Sequence, residues 1–192
     1  ITNPTIAVKI PINWDAMSSS SQQRLEQIVG RDSRAIKRLL GIIEHNEREL
    51  VYGKGKKRIS LGALNRITMT ATRGKANRTS VEHDVKAAFP RSSASDLAEC
   101  ASTATMAYNS YLALRAMKGR YASRPCKTNA SGRMPRWMFS PRSFKLVRDK
   151  NTTARWWLSL RDSLDAVREG RWRHDTLMIP LKMSPFHENQ LE

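Results

Sequence analysis

Acidic residues, cysteines, histidines and long apolar runs are all scarce in this sequence, and each scarcity excludes a class of function. Asp and Glu number 17 against 34 Lys and Arg. Asp15, Glu26, Asp32, Glu44, Glu82, Asp84, Asp96, Glu99 and Asp149 sit mostly beside Arg or Lys or on polar helix faces. That placement reads as surface ion pairs rather than a catalytic set. The two cysteines, Cys100 and Cys126, form no CxxC pair, which excludes a disulfide scaffold and suits a reducing cytosol. The four histidines, His45, His83, His174 and His187, show no metal-ligand spacing with the cysteines. His83-Asp84 and His174-Asp175 each supply half of an HD site without the other ligands. No run of eighteen apolar residues spans a membrane, and no signal peptide is visible. GxSxG and the P-loop spacing are also missing. The expectation is a cytoplasmic, nucleoid-associated chain with no catalytic centre and no cofactor of its own.

What the sequence has instead is positive charge. The formal net charge is +17 and the pI is about 10.7. A compact body so charged repels itself unless a polyanion neutralises it. Nucleic acid fits best, because each neutralised phosphate releases a condensed counterion. An anionic membrane fits less well, since the charges are spread along the chain without a lipid-anchor signal. The apolar share of 40% over 192 residues supports a real core, in one domain or two small ones. The chain opens on Ile1 rather than Met, as expected of a piece trimmed from something longer.

Thr5 to Ile12 alternates strictly, with Ile6, Val8, Ile10 and Ile12 on one face, and predicts a half-buried strand. A helix is expected after Ser18 to Ser21, with Ser20 and Gln23 as a capping box and Met17 as its staple. Its apolar positions are Leu25, Ile28, Val29, Ile36, Leu39, Leu40 and Ile43. Arg24, Arg31, Arg34, Lys37, Arg38 and Arg48 fall opposite, and Gly30 and Gly41 argue against one straight helix. Residues 53 to 58 (GKGKKR) read as a basic loop, followed by a short helix after Ser60 using Leu61, Leu64 and Ile67. Residues 70 to 78 form a second basic loop. Val81, Val85, Ala88 and Phe89 give a short helix stopped by Pro90. The clearest helix runs from about Ser93 to about Met117, with Leu97, Ala101, Ala104, Tyr108, Tyr111 and Leu112 as its stripe and Cys100 beside it as a small core residue. Residues 118 to 136 read as an exposed basic linker. The period then changes to alternation, and Ser143–Arg148, Arg155–Arg161 and Thr176–Met183 read as strands. In the last, Leu177, Ile179, Leu181 and Met183 share a face, while Pro180 points outward and favours an edge or bulge. Asp162 to Gly170 reads as a short helix or a long loop. The order implies an α+β fold, a small β-barrel or sheet interrupted by a helical insertion between its first and second strands.

Phosphate-binding candidates recur throughout. They are Arg34, Lys37 and Arg38 on the first helix, Lys54, Lys56, Lys57 and Arg58 in the first loop, and Arg73, Lys75 and Arg78 in the second. The linker adds Lys118, Arg120, Arg124, Lys127, Arg133 and Arg136. Aromatics interleave at Arg136-Trp137, Arg155-Trp156-Trp157 and Arg171-Trp172-Arg173, where a tryptophan can stack on an unpaired base or pack in a core. Trp156 and Trp157 fall on opposite faces of one strand, so at most one belongs to the core. A stand-alone RNA-binding module of ribosomal or RNA-chaperone type is an alternative. So is a recombinase or RNA-processing enzyme, with Tyr108 or Tyr111 as nucleophile, although core packing explains both tyrosines better.

The order of these segments also resembles a family. TIAVKIPI, a helical block, SVEHDVKAAFP, SSASDLAECASTATMAYNSYLALR, the linker RPCKTNASGRMPR, WMFSPRSFKLVRD and TLMIPLKMSPFHENQL follow one another. In this order they are similar to the N-terminal half of the TnpB proteins, transposon-encoded RNA-guided DNA endonucleases related to the miniature type V CRISPR effectors. The resemblance covers most of the chain, and it rests on the order rather than on any one segment. It implies a wedge β-barrel over residues 1–13 and 143–192, a helical recognition insertion over 14–120 and a basic linker over 121–142. It implies guide RNA and target DNA as partners, held by shape and backbone while the guide reads sequence. It places reading of a target-adjacent motif near Arg34, Lys37 and Arg38, and near Arg91, Ser92 and Ser95. Homo-oligomer formation stays open. The family's RuvC nuclease, with its Mg²⁺ ions and a zinc-ribbon insert, is expected only after Glu192, since no GIDxG-like strand and no CxxC pair occur here.

Overall fold

A computed structural model describes residues 9–54, 57–69, 81–125, 132–138, 142–149, 154–162, 167–168, 171–172 and 175–189. The protein is mixed α+β. Its contacts divide it into one unit of residues 1–26, 139–162 and 175–192 and another of residues 27–138 and 163–174.

The larger unit is mostly helical. Helix α1 (Ser19–His45) is continuous through Gly30 and Gly41, the two residues that weaken its helix propensity. After it come α2 (Glu47–Leu50), a short antiparallel ribbon of β1 (Val51–Tyr52) and β2 (Arg58–Ile59), α3 (Leu61–Thr68), α4 (Val85–Ala88) and α5 (Ala94–Lys118). Helices α3, α4 and α5 each start on a side-chain cap. Ser60, Asp84 and Ser93 accept hydrogen bonds from the backbone N–H groups of Ala63, Ala87 and Asp96, satisfying donors that the first turn leaves without partners. Helix α5 ends at Gly119, whose φ of +55° is a left-handed conformation that glycine adopts without Cβ strain.

The core is the stripe that spacing predicts. Ile36, Leu39, Leu40 and Ile43 of α1 join Leu64 of α3, Val85 of α4, and Leu97, Ala101, Ala104 and Tyr108 of α5 in one buried cluster. Fully burying each large aliphatic side chain contributes about 1.5–3 kcal/mol before entropy is counted. Cys100 lies in the same cluster, where burial pushes its thiol pKa well above the ordinary range. Within this unit the segment expected as a loop or helix over 162–170 contributes a ribbon instead, β5 (Val167–Arg168) pairing with β6 (Arg171–Trp172).

The smaller unit holds an antiparallel sheet of β3 (Phe144–Arg148), β4 (Trp156–Asp162) and β7 (Asp175–Leu181), in the order β3-β4-β7. Leu160, Leu177, Ile179 and Leu181 are buried. Beyond β7, Ile12 bridges to Leu181, the Asn13 N–H donates to the Pro180 carbonyl, and the Lys182 N–H donates to the Pro11 carbonyl. The end of the predicted first strand therefore joins the same sheet as the last strand, while residues 1–8 lie outside the described residues. Pro180 does not point outward. It is buried opposite Trp157, and its carbonyl still takes part in the pairing, so the ring removes only a donor. A short helix, α6 (Pro185–Asn189), follows. Among the described residues the sheets are open, and none closes into a barrel.

Two further expectations change at the start of α1. The cap is Ser18, whose hydroxyl accepts from the Ser21 N–H, rather than a Ser20–Gln23 box. Gln22 instead donates from its side chain to the carbonyls of Trp14 and Met17. Met17 is buried, as a staple residue should be.

Candidate nucleic-acid interface

The largest departure from the sequence reading lies in the helical unit. Arg31 is on the buried side of α1, not on its outer face, and beside it Asp32 is buried as well. Arg31 donates from Nε and Nη2 to Asp32 Oδ1 at 2.9 and 2.6 Å, and its Nη2 lies 3.6 Å from Asp96 Oδ2. Arg136, expected in an exposed linker, has a side chain with no solvent exposure. Its Nη1 is 2.7 Å from Asp96 Oδ1, and its Nε is 3.3 Å from both Asp32 Oδ2 and Glu99 Oε2. These are ion-pair distances, but the N–H directions miss hydrogen-bond geometry. Charge therefore holds this guanidinium more than aligned bonds do.

Three carboxylates and two guanidiniums thus meet in the interior. Burial pushes the Asp32 pKa up, and Arg136 and Arg31 only partly oppose it. For Arg136 burial works against the charge, yet Asp32, Asp96 and Glu99 together outweigh it and raise its pKa. The extended segment carrying Arg136 is bonded into the unit. The Ser33 hydroxyl donates to the Met134 carbonyl, the Met134 N–H reaches the Ser33 Oγ, and the Trp137 N–H donates to Thr103 Oγ1. Residues 132–138 are accordingly a packed strap. Ser92 is buried too, under a turn in which Lys86 Nζ donates to the Pro90 and Ser92 carbonyls. Burial lowers the Lys86 pKa, with Asp84 and Asp96 opposing the shift. Arg136 and Ser92 therefore leave the set of surface contacts, and Asp32, Asp96 and Glu99 are not surface ion pairs.

The other candidate cations among the described residues are exposed or half-buried. On α1, Arg34 and Arg38 are exposed at i, i+4 spacing, and Lys37 is half-buried between them. Lys54, Lys57 and Arg58 are exposed on the β1–β2 ribbon, with Arg58 on β2 rather than in a loop. That ribbon is fixed beside α5, since the Ile59 N–H donates to Asn109 Oδ1 at 2.7 Å. Arg91 and Arg133 are exposed, and Ser95 is half-buried with its hydroxyl 3.0 Å from the Ser93 hydroxyl. Lys118 and Arg120 are exposed at the end of α5. Lys56, Arg73, Lys75, Arg78 and Lys127 lie outside the described residues. The backbone of Arg171 and Trp172 forms β6, and their side chains lie outside them as well.

The end of α5 also shapes a cleft of about 930 Å³, lined by Tyr111, Arg115, Arg120, Tyr121 and Arg124 around Gly119. Sequence reading named Arg120 and Arg124 but missed Arg115 and Tyr121. Their spacing around the helix-ending glycine was the available signal. Arg115 pairs with Glu47 at 3.0 Å, Arg124 pairs with Glu44, and Glu47 also accepts the Tyr108 hydroxyl at 2.6 Å. Burial and this bond both raise the Tyr108 pKa.

The tryptophans of the sheet unit are partly engaged. Trp156 donates to Glu188 and Trp157 to the Ala154 carbonyl, and both are half-buried, so neither is a fully enclosed core residue. The Arg148 guanidinium lies 5.5 Å from the Trp156 ring centre. In the helical unit, Trp137 is exposed. Among the described residues no group of His, Cys, Asp and Glu is arranged to hold a metal ion, and His83 Nε2 instead lies 3.1 Å from the Asn46 amide. Nor is any described helix long and apolar enough to cross a membrane. Compared with family models, curated proteins and solved structures, the chain matches none.

Proposed function

We propose that this chain binds nucleic-acid backbone and serves as the guide-RNA and target-DNA holding lobe of an RNA-guided DNA endonuclease, with no catalytic centre among its own residues. One observation carries the binding part. Six carboxylates are buried or paired with arginine, while seven cations are exposed with no carboxylate partner among the described residues. Asp32, Asp96 and Glu99 are buried, and Glu44, Glu47 and Glu188 each hold an arginine. Arg34, Arg38, Lys54, Lys57, Arg58, Lys118 and Arg120 are exposed without a carboxylate partner among the described residues. A surface excess of this kind favours a polyphosphate. The guided-nuclease part rests on the family order of the segments, and the wedge-like barrel belongs to that reading.

The test is a salt titration on a structured RNA and on duplex DNA, first with this chain and then in a guide-loaded full-length parent. Steep salt dependence on RNA, with a preference for one motif flanking the DNA target, supports the whole reading. Equal, motif-independent binding to every nucleic acid would leave a nonspecific RNA-binding module. A shallow salt dependence would remove the backbone reading as well.

A further inference from the structure

The cleft at the end of α5 combines features that plain backbone binding does not need. Three arginines surround it, and Tyr121 stands 77% exposed at its edge. The Arg120 guanidinium lies over one face of the Tyr121 ring, 5.2 Å from its centre, and its Nη2 reaches the Tyr121 hydroxyl at 3.2 Å. An aromatic ring left in water beside cations has a use when a flat, apolar surface arrives together with a negative charge.

An unpaired nucleotide is such an object, since its base has a π-face and its phosphate is anionic. We infer that this cleft docks an unpaired nucleotide of a single strand, with its base stacked on Tyr121 and its phosphate held by Arg120, Arg115 and Arg124. The site rests on the nucleic-acid reading above and narrows it to single-stranded segments. Its parts are positioned beforehand. Tyr111 packs edge-on against Tyr108 with ring centres 5.3 Å apart, and Glu47 and Glu44 hold Arg115 and Arg124. Those pairs are partly solvent-exposed, so a phosphate can take over the guanidiniums at little cost. Arg120 is exposed and has no carboxylate partner among the described residues, so its guanidinium is available to a phosphate without displacing one. A base-paired duplex keeps its bases stacked inside and cannot offer one to Tyr121.

The experiment uses the whole chain and three probes of one length and sequence: single-stranded RNA, single-stranded DNA and the blunt DNA duplex. Both single strands carry 2-aminopurine at one central position. Tyr121→Ser and Arg120→Ala should each lower single-strand affinity about tenfold, the lower range of one lost base stack, and reduce the 2-aminopurine quenching. Duplex affinity should fall no more than about twofold for Tyr121→Ser, whereas Arg120→Ala also removes a backbone cation and should weaken duplex binding, though less than single-strand binding. Tyr121→Phe keeps the ring and should keep wild-type affinity. Equal losses on RNA and DNA assign the site to the shared nucleotide chemistry, and a loss on RNA alone assigns it to a ribose-reading version of the same site. Both residues are exposed, so thermal unfolding should be unchanged and the comparison stays interpretable. A wild type that binds both strands and duplex, with variants unchanged or equally impaired on all probes, overturns the cleft while leaving backbone binding intact. A wild type that binds none of the probes overturns the backbone reading itself.

Discussion

Replacing Arg136 by Met separates the structural role of this residue from the surface role that its sequence context suggests. The substitution keeps volume and removes the charge. It leaves Asp32, Asp96 and Glu99 buried without the guanidinium that lies against all three, while Arg31 stays near Asp32 and Asp96. Removing one partner of a buried ion network costs about 3–5 kcal/mol. At roughly 2–4 °C per kcal/mol for a chain of this size, the melting temperature should fall by about 6–20 °C. The pH dependence sharpens the test. Burial already holds the folded Asp32 pKa above its ordinary value, and losing Arg136 removes the largest opposing influence. The folded state of the variant then binds more protons than the unfolded state above the ordinary carboxylate range, so its stability rises as pH falls. Urea unfolding of wild type and variant at pH 7 and pH 5 should show the deficit shrinking at pH 5. Adding Asp96→Asn should recover part of the pH 7 loss, because Asp96 makes the shortest contact with Arg136. A deficit below about 1 kcal/mol that does not change with pH would refute the buried network. A normal stability with a selective loss of RNA binding would restore Arg136 to the surface.

Arg34→Ala with Arg38→Ala should leave stability within about 0.5 kcal/mol and reduce the salt slope of duplex binding by about one per lost phosphate contact. Ser33→Ala removes both bonds between Ser33 and Met134 and should destabilise by about 1–2 kcal/mol, read as a lower urea midpoint. In a Cys126→Ser background, Cys100 should react with a thiol reagent far more slowly in the native protein than in urea, because it is buried and its thiol pKa is raised. The chain with Mg²⁺ should cut neither DNA nor RNA. Its converging carboxylates are occupied by Arg31 and Arg136, and guide-dependent cutting abolished by one acidic substitution would show otherwise.

The sequence by itself determined the elements whose signal is local. The 3.6-residue stripes of α1 and α5, the serine caps at Ser60 and Ser93, and the alternation of β3, β4 and β7 are all written within short windows. The net charge of +17, and with it the preference for a polyanion, is likewise independent of the fold. Tertiary structure alone decided which charges face outward. Arg31 and Asp32 adjoin apolar α1 positions, Asp96 and Glu99 lie at i, i+3 beside the α5 stripe, and Arg136 is far away in sequence. Each reads as a surface residue when taken singly, because burying an isolated charge is prohibitive. Only when the chain brings the five together does mutual neutralisation make burial tolerable. The same holds for the cleft. Arg115, Arg120, Tyr121 and Arg124 are near in sequence, but the reversal at Gly119 and the carboxylates of Glu44 and Glu47, some 70 to 80 residues earlier, give it its shape.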